Sequence, residues 1–283
     1  MESNVSHEPV LLSEVLEALN VKRGKKYIDA TLGAGGHSEA ILNRGGKVLG
    51  IEADSQMLKF SEERLVNNCP TLVRGKFENI VAISKSQNFA PVDGVLMDLG
   101  ISNFHYESLK RGFSFKKGTE PLDLRLAPAD TDVTAAMLLN ALSEKQLESL
   151  FEKIIGIHKS RGIIKKILRA RKEKPFAIVS DLQNLARQES AEIFLALRIA
   201  VNSEFEALES GVRGALEVLN SGGVLVVISF HSLEDKLVMK LFREFEQKEL
   251  GAISTQSPIV PTEVEIERNP KSRSALMRIF KKI

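Results

Sequence analysis

Hydrophobic and polar positions along the first hundred residues follow a pattern that predicts strands separated by helices. Short apolar, β-rich runs occur at KYIDAT, KVLGIEA, TLVRG and VDGVLMDLG. Residues 36–44 read as a helix, and residues 54–67 carry apolar side chains at helical spacing. Strands that alternate with helices are typical of a parallel sheet covered by helices on both faces.

The alternation stops in the middle of the chain and returns at its end. Between residues 102 and 202 a glycine-, proline- and charge-rich loop leads into predicted helices at 134–141, 143–154, 160–172 and 180–200. A helix at 203–220, the strand GGVLVVISF, a helix at 232–248 and the strand SALMRIFKK follow. The sequence therefore predicts one α/β domain, residues 1–101 and 203–283, interrupted by a helical insertion at 102–202.

Composition excludes several classes of protein. Of the 283 residues 43% are hydrophobic and 27% charged, as in ordinary globular proteins, and the net charge of +2 neither favours nor excludes nucleic acid. Cys69 is the only cysteine, which excludes an internal disulfide and fits a reducing compartment. The first residues lack a signal-peptide pattern, and the run VLVVISF is too short to cross a bilayer. We therefore expect a cytoplasmic protein that does not enter a membrane.

The segment LGAGG, residues 32–36, lies between a predicted strand and a predicted helix. Glycines there can serve a purely structural turn, because glycine accepts positive φ. The functional alternative is a cradle for a nucleotide-like ligand, since Glu52 ends the next strand and an acid at that place can accept both ribose hydroxyls.

The residues after the turn favour S-adenosylmethionine over NAD. In the dinucleotide fingerprint a third small residue allows close packing of the helix, and the backbone must approach a pyrophosphate. Here Ser38 takes that place, and the neighbouring His37 is bulky. Asp98 ends the fourth strand and adds a second acid, which suits a sulfonium and an ammonium better than two phosphates.

Several longer motifs are similar to those of one enzyme family. These motifs are HEPVLLSEVLEAL, YIDATLGAGGHS, DGVLMDLGIS, RGFSF, PLDLRL, RIAVNSEFEALE, GGVLVVISFHSLED and NPKSRSALMRIF. In this order they resemble the bacterial 16S ribosomal RNA cytosine-N4 methyltransferase family. The resemblance covers nearly the whole chain and implies a class I S-adenosylmethionine-dependent methyltransferase (Rossmann-like) sheet with an inserted helical subdomain.

The resemblance also assigns cofactor contacts to positions of this chain. They fall on Gly35, Gly36, His37, Glu52, Phe77, Asp98 and His105. The chain departs from the family at some of them, because Glu52 replaces the usual aspartate and His105, in ISNFH, replaces a glutamine. Glu192 and Leu195 stand where arginine and glutamine are common. These departures concentrate in the insertion and its entrance.

Candidate catalytic residues are Asp98, Ser102 and His231, which we expect at the reaction edge of the sheet. His231 follows a strand at its carboxyl end, where ligands bind in open α/β sheets. The sequence also predicts that Ser232 caps the next helix, with Asp235 completing a capping box. No residue spacing suggests a metal site.

Candidate RNA contacts lie in a loop, in a helix and in the basic segment at the end of the chain. Asp123 and Arg125, in PLDLR, read either as a loop ion pair or as substrate contacts. The predicted helix within 158–174 has eight Lys and Arg residues and one acid, and RNPKSRSALMRIFKK, which contains Arg273, has no acid. Such charge fits either a solvated face or RNA phosphates. The helix contributes the candidate contacts Lys165, Lys166, Arg169 and Arg171.

The sequence thus predicts methyl transfer from S-adenosylmethionine to N4 of a cytidine in the decoding region of 16S rRNA, within the small ribosomal subunit. Two alternatives stay open. One is a catalytically silent RNA-binding or assembly factor on the same fold, and the other is a methyltransferase for DNA, another RNA or protein. The oligomeric state is also open, a dimer included.

Overall fold

The computed structural model describes residues 9–107, 109–186 and 190–283. Its strands are β1 (Lys26–Asp29), β2 (Lys47–Glu52), β3 (Thr71–Arg74), β4 (Val92–Asp98), β5 (Leu219–Ser229), β6 (Gly251–Ile253) and β7 (Leu276–Lys282). Its α-helices are α1 (Leu12–Ala18), α2 (Gly36–Asn43), α3 (Ser55–Leu65), α4 (Ile80–Ser86), α5 (Asn103–Glu107), α6 (Ala135–Ala141), α7 (Glu144–Ile155), α8 (Ile157–Glu173), α9 (Val179–Ala186), α10 (Ser190–Asn202), α11 (Glu204–Val218), α12 (Ser232–Gln247) and α13 (Glu263–Arg268).

The strands form one seven-stranded sheet in the order β3-β2-β1-β4-β5-β7-β6. Strands β1 to β5 pair in parallel, whereas β7 runs antiparallel to β5 and to β6. The carboxyl ends of the parallel strands therefore share one edge of the sheet. The predicted α/β class of fold is confirmed.

Alternate residues of each central strand enter two different hydrophobic clusters. In β4, Val95 and Met97 pack with α11 and α12, while Leu96 packs with Tyr27 and the helix α1 on the opposite face. This alternation follows from the period of two residues in a strand. It buries the sheet on both faces and leaves its carboxyl edge to the loops.

The chain divides into two compact units. The first comprises the chain up to Gly100 together with Phe205–Ile283, and it contains the whole sheet. The second is Ile101–Glu204. Its own core is formed by α6 to α10 and the preceding loop, with Leu139, Phe151, Ile167 and Leu197 fully buried. No helix among the described residues is long and apolar enough to cross a membrane.

Some predicted elements differ from the observed ones. The helix predicted at 180–200 corresponds to α9 and α10, and residues 187–189 between them lie outside the described part. The strand predicted from Gly222 begins at Leu219, directly after α11. Helices α4 and α13 and strand β6 were not predicted, because they are only three to seven residues long and show too few turns of periodicity.

Candidate functional site

Acidic side chains follow three neighbouring strands at the carboxyl edge of the sheet. Asp29 ends β1, Glu52 ends β2 and Asp98 ends β4. In open α/β sheets ligands bind outside this edge, close to the point where the strand order reverses. That point lies between β1 and β4, which are neighbours on either side of the reversal.

The glycine turn joins β1 to α2 above this edge. Gly35 has φ of 79° and occupies the N-cap position of α2, where it has no side chain that could accept from the first N–H groups of the helix. A Cβ atom added to Gly36 would lie 2.5 Å from Cγ of Pro9. The turn thus needs glycine at both positions, and it leaves the positive end of α2 open to an anionic group.

Glu52 connects the end of β2 to the glycine turn. Its Oε2 accepts a hydrogen bond from the Gly33 N–H at 3.0 Å, and its Oε1 accepts one from the Asp54 N–H at 2.9 Å. Burial raises the pKa of Glu52 to about 7, although both backbone hydrogen bonds lower it. Each carboxylate oxygen keeps lone-pair capacity for a further donor, such as a ribose hydroxyl.

Asp29 is a buried acid that sequence reasoning did not select. Its side chain is 1% exposed, and Oδ2 accepts a hydrogen bond from the hydroxyl of Ser38 at 2.7 Å. Burial raises the pKa of Asp29, whereas His37 and Ser38 counteract the effect. The signal was present, because the acid lies in the predicted strand just before the turn in YIDATLGAGG.

His37 and Asp98 carry polar atoms that the protein leaves unpartnered. Both ring nitrogens of His37 and Oδ1 of Asp98 are buried and have no hydrogen-bond partner in the described part of the chain. Nε2 of His37 lies 3.7 Å from Oδ2 of Asp98, while the Asp98 backbone N–H donates to Thr31 Oγ1 at 2.7 Å. Buried polar groups normally find partners, so these atoms point to a polar ligand. A ligand with sulfonium, ammonium and carboxylate groups, as in S-adenosylmethionine, fits two acids, an imidazole and a helix start.

Phe77 lies in a short 3-10 helix, Phe77–Asn79, just after β3. Its ring is partly buried against the first core, and a Cβ atom added to Gly211 would lie 2.5 Å from Cδ2 of Phe77. The ring of Phe77 therefore packs against α11 at a position where only a glycine, Gly211, leaves enough space for it. The aromatic ring follows a strand at the same edge as Glu52.

Ser102 and His105 belong to the second unit. Ser102 Oγ and Nδ1 of His105 lie 2.9 Å apart, and the imidazole packs edge-on against Phe113 with 5.5 Å between ring centroids. His105 is 6% exposed. Its ring therefore has both a polar and an apolar partner inside this unit.

The start of α12 corrects the predicted cap. His231, and not Ser232, is the N-cap residue: its Nδ1 accepts from the Glu234 N–H at 3.3 Å. The Glu234 carboxylate accepts in return from the backbone N–H groups of His231 and Phe230. Asp235, which the prediction placed in the box, instead forms an ion pair with Arg278 at 2.7 Å. The box is shifted by one residue because a histidine nitrogen takes the place of the usual hydroxyl.

His231 still presents one unsatisfied atom at the carboxyl edge of β5. Its Nε2 is buried and lies 3.2 Å from Oε1 of Glu234, but no hydrogen bond forms. The ring also packs edge-on against Phe205, with 6.2 Å between centroids. The capping hydrogen bond fixes the imidazole ring of His231, so this residue stabilises the start of α12 whether or not it takes part in chemistry.

Asp123 and Arg125 form a two-pronged ion pair in the second unit. Nε and Nη2 of Arg125 donate to the two carboxylate oxygens of Asp123 at 2.7 and 2.9 Å, and Nη1 donates to the Thr131 carbonyl at 2.9 Å. The hydrogen bonds to Asp123 raise the pKa of the Arg125 guanidinium. The pair is thus partly buried and fixed, unlike a loose loop ion pair.

The basic helix α8 contains two kinds of cation. Lys165, Lys166 and Arg169 are exposed, and Nε of Arg169 lies 3.8 Å from Oε1 of Glu173 in a largely exposed ion pair. Arg171 instead donates through Nη1 to the carbonyls of Leu139 and Leu142 at 2.8 and 2.7 Å. Arg171 therefore holds the carboxyl end of α6, which periodicity alone could not reveal.

The remaining predicted positions are on the surface. Arg273 is exposed in the 3-10 helix Pro270–Ser274 of the first unit. In α10 of the second unit, Glu192 is exposed and Leu195 is half-buried. Arg273 and Glu192 are therefore accessible to solvent, whereas Leu195 is only partly so.

The fold and the site define the class of this protein. A sheet with five parallel strands and an antiparallel β7, a glycine turn after β1 and an acid after β2 are the features of a class I S-adenosylmethionine-dependent methyltransferase. The chain belongs to the MraW methylase family, whose model matches residues 4–283. Its cofactor is accordingly S-adenosylmethionine.

Curated relatives match nearly the whole chain. A protein of Dictyoglomus thermophilum named ribosomal RNA small subunit methyltransferase H is 40% identical, over 96% of this chain and 95% of its own. The protein of the same name from Carboxydothermus hydrogenoformans is 39% identical, over 98% of both chains. A solved rRNA methylase from Streptococcus thermophilus is 12% identical and has a TM-score of 0.47 over 96% of this chain and 95% of its own.

Proposed function

We propose that the protein transfers the methyl group of S-adenosylmethionine to N4 of a cytidine in the decoding region of 16S rRNA. The observation that carries the chemistry is the group of unpartnered atoms of His37 and Asp98 at the carboxyl edge of the sheet. The name of the relatives, together with the motifs of the chain, supports small-subunit rRNA as the substrate. The cytidine and its position rest on the resemblance of those motifs.

The first unit would hold the methyl donor through side chains and backbone already in place. Gly35, Gly36 and His37 would meet its amino-acid part, Glu52 its ribose, Phe77 its base and Asp98 its charged end. His105 of the second unit is a further proposed contact, carried over from the family. When bound, the donor supplies an activated methyl group on a good leaving group.

The protein's task is then mainly to position the acceptor. The N4 amine of cytosine is conjugated with the ring and is a poor nucleophile, so alignment at near-attack distance supplies much of the rate. We propose that Asp98, Ser102 and His231 line the reacting amine, with Asp98 closest to it. A base inside a duplex cannot reach such a centre, so the cytidine must be flipped out or already unstacked.

Residues 102–202 would recognise the RNA. Lys165, Lys166 and Arg169 are exposed on one helix, which suits contact with phosphates. Arg273 of the first unit is also exposed. Asp123 and Arg125 would meet the acceptor nucleotide, and Arg125 does so while three of its N–H groups are engaged within the loop. Arg171 does not belong to the proposed phosphate contacts, since its guanidinium holds α6.

The test is methyl transfer to small ribosomal subunits from a strain that lacks the modification. The full-length protein is incubated with labelled donor, and the methyl group is located by mass spectrometry of the RNA. We expect one product at N4 of a decoding-region cytidine. Methyl label elsewhere in RNA, in DNA or in protein would mean that the substrate differs from the proposed cytidine. RNA binding with no methylated product would indicate a silent assembly factor.

A further inference from the structure

The loop that contains Asp123 and Arg125 is held in a strained conformation. Leu124, between them, has φ of 63°, in the left-handed region that disfavours a leucine. Leu122 and Leu124 are each 1% exposed in the core of the second unit. Asp123 and Arg125 alternate with these two buried leucines along the chain, and their side chains keep 14 to 19% exposure.

Asn202, the last residue of α10, fixes this loop from a distance of many residues. Its Nδ2 donates to the Leu124 carbonyl, and its Oδ1 accepts from the Leu126 N–H, both at 2.8 Å. Nδ2 also donates to the Arg198 carbonyl at 2.8 Å. If the amide were flipped, its N–H2 group would face the Leu126 N–H and its oxygen would face the Leu124 carbonyl. The hydrogen bonds therefore define one orientation of the amide.

The loop is also held from its other side. The Leu124 N–H donates to the Arg111 carbonyl at 2.9 Å. The guanidinium of Arg111 donates to the carbonyls of Arg125 and Leu126, each at 3.3 Å. At the loop's end, the Asp123 carbonyl accepts from the Ala135 N–H at the start of α6, at 2.9 Å. The strained segment is therefore bonded at every backbone position around the ion pair.

A strained backbone conformation costs free energy and persists only where surrounding contacts hold it in place, and such conformations cluster at functional sites. We infer that Asn202 is a positioning residue for the acceptor nucleotide: it holds Leu124 in its strained conformation and thereby presents Arg125 in one fixed orientation. The inference rests on the proposed function, because it assumes that Arg125 meets the RNA. It assigns a role to the motif RIAVN, which the cofactor site does not use.

A purely structural role is the alternative, and the chain offers a matched control. Asn140 makes the same type of contact within the same unit: its Nδ2 donates to the Phe176 carbonyl, and its Oδ1 accepts from the Phe176 N–H, both at 2.9 Å. The segment that Asn140 holds has no proposed contact with RNA. Asn202→Ala and Asn140→Ala each remove a pair of hydrogen bonds between an amide side chain and a distant backbone segment, and they release different loops. Asn202→Ala also removes the bond to the Arg198 carbonyl within α10.

The experiment compares full-length parent, Asn202→Ala, Asn140→Ala, Arg125→Ala and the double variant Asn202→Ala with Arg125→Ala. All are assayed on small ribosomal subunits, at a temperature below the lowest melting temperature. We expect Asn202→Ala to lower kcat/KM for the RNA at least tenfold, with unchanged Kd for S-adenosylmethionine. Asn140→Ala should stay within twofold of the parent. The double variant should be no slower than Arg125→Ala alone, because Asn202 acts only by orienting the Arg125 side chain, which the double variant lacks.

Each other outcome decides against the inference. Unchanged kcat/KM in Asn202→Ala, an equal loss in Asn140→Ala, no loss in Arg125→Ala or additive losses in the double variant would make Asn202 a structural residue only. Asn202→Asp keeps the volume and the acceptor but loses both donors, and it replaces the alanine variant if that one does not fold. Failure of both to fold also means a structural role. If the parent itself methylates no small-subunit RNA, the proposed function fails instead.

Discussion

Glu52 supports the fold at the position where we propose that the ribose of the methyl donor binds. Its two oxygens accept backbone N–H groups from Gly33 and Asp54, so the glycine turn is fixed to β2 in the absence of any ligand. Burial raises the pKa of the carboxyl to about 7. The folded protein therefore binds this proton over a pH range in which an ordinary glutamate is ionised, and a hydroxyl donor from the ribose would favour its release.

We predict that Glu52→Gln weakens S-adenosylmethionine binding about tenfold or more at pH 8, because hydrogen bonds to a charged acceptor contribute at most about 1.5–3 kcal/mol each. In the parent, affinity should fall as the pH drops from 8 to 6 and the carboxyl takes up its proton. The variant should lack this component. Titration calorimetry at several pH values measures both effects, and equal affinities throughout would mean that Glu52 only supports the turn.

The raised pKa of Glu52 also fixes the sign of a stability effect. Relative to the unfolded chain, its contribution is fully present below the ordinary pKa of 4.5 and is lost as the pH rises through about 7. The difference in unfolding free energy between parent and Glu52→Gln should therefore shift in favour of the variant between pH 5 and pH 8. The amide of Glu52→Gln also places an N–H group against one of the two backbone N–H groups, which affects stability separately from the proton. The test is therefore the change of the stability difference with pH and not its absolute size. Urea unfolding at these two pH values measures it.

At the scale of elements, α8 is amphipathic but its cations are not equivalent. Its buried face carries Ile163, Ile164 and Ile167 in the second core. Lys165, Lys166 and Arg169 point to solvent, whereas Arg171 satisfies two carbonyls at the end of α6. Substituting all four cations together would mix a surface effect with loss of a helix end, so the experiment should separate them.

We predict that changing Lys165, Lys166 and Arg169 to Gln weakens RNA binding and reduces the dependence of log K on log salt. The slope should fall by roughly 0.7–0.9 for each phosphate that the helix no longer neutralises. The matched control changes Lys236, Lys240 and Arg243 to Gln, three exposed cations of α12, and should leave the slope unchanged. Filter binding at several salt concentrations measures it. Equal slopes in parent and α8 variant would identify this helix as a solvated face.

The start of α12 gives a prediction about caps. Since His231 is the N-cap residue, His231→Ala should lower stability by about 0.5–2 kcal/mol, the usual range for loss of a capping side chain. Ser232→Ala should change stability by less than half as much, because Ser232 is exposed and lies inside the helix. Chemical denaturation of both variants measures the difference. A larger loss of stability in Ser232→Ala than in His231→Ala would mean that Ser232 is the cap, as the sequence predicts.

At the scale of the whole molecule, the protein divides its cores and its charge between two units. The first unit buries the sheet on both faces, and the second has a helical core of its own. The net charge is only +2, yet eight cations and one acid lie within residues 158–174. The average charge therefore says little about nucleic acid, whereas its distribution supports an RNA-binding role for the second unit.

The sequence by itself determined the class of fold and the region of the candidate site. Periods of two and 3.6 residues record which side of an element is buried, so the strands β1 to β5 and β7 and most helices could be predicted from local pattern. The glycine turn and Glu52 were also readable, because a strand end followed by glycine and an acid after the next strand are local signals. Short elements such as β6 and α13 escaped for lack of repeats.

Only the tertiary structure decided which groups are partners. Asn202 bonds to Leu124 and Leu126, more than seventy positions away, and Arg171 bonds to Leu139. A periodic pattern reports burial averaged over an element, and it contains no information about which distant backbone group a side chain meets. The cap of α12 is a local contact, and here the sequence predicted Ser232 because a hydroxyl is the usual capping group, while the folded chain gives the cap to His231.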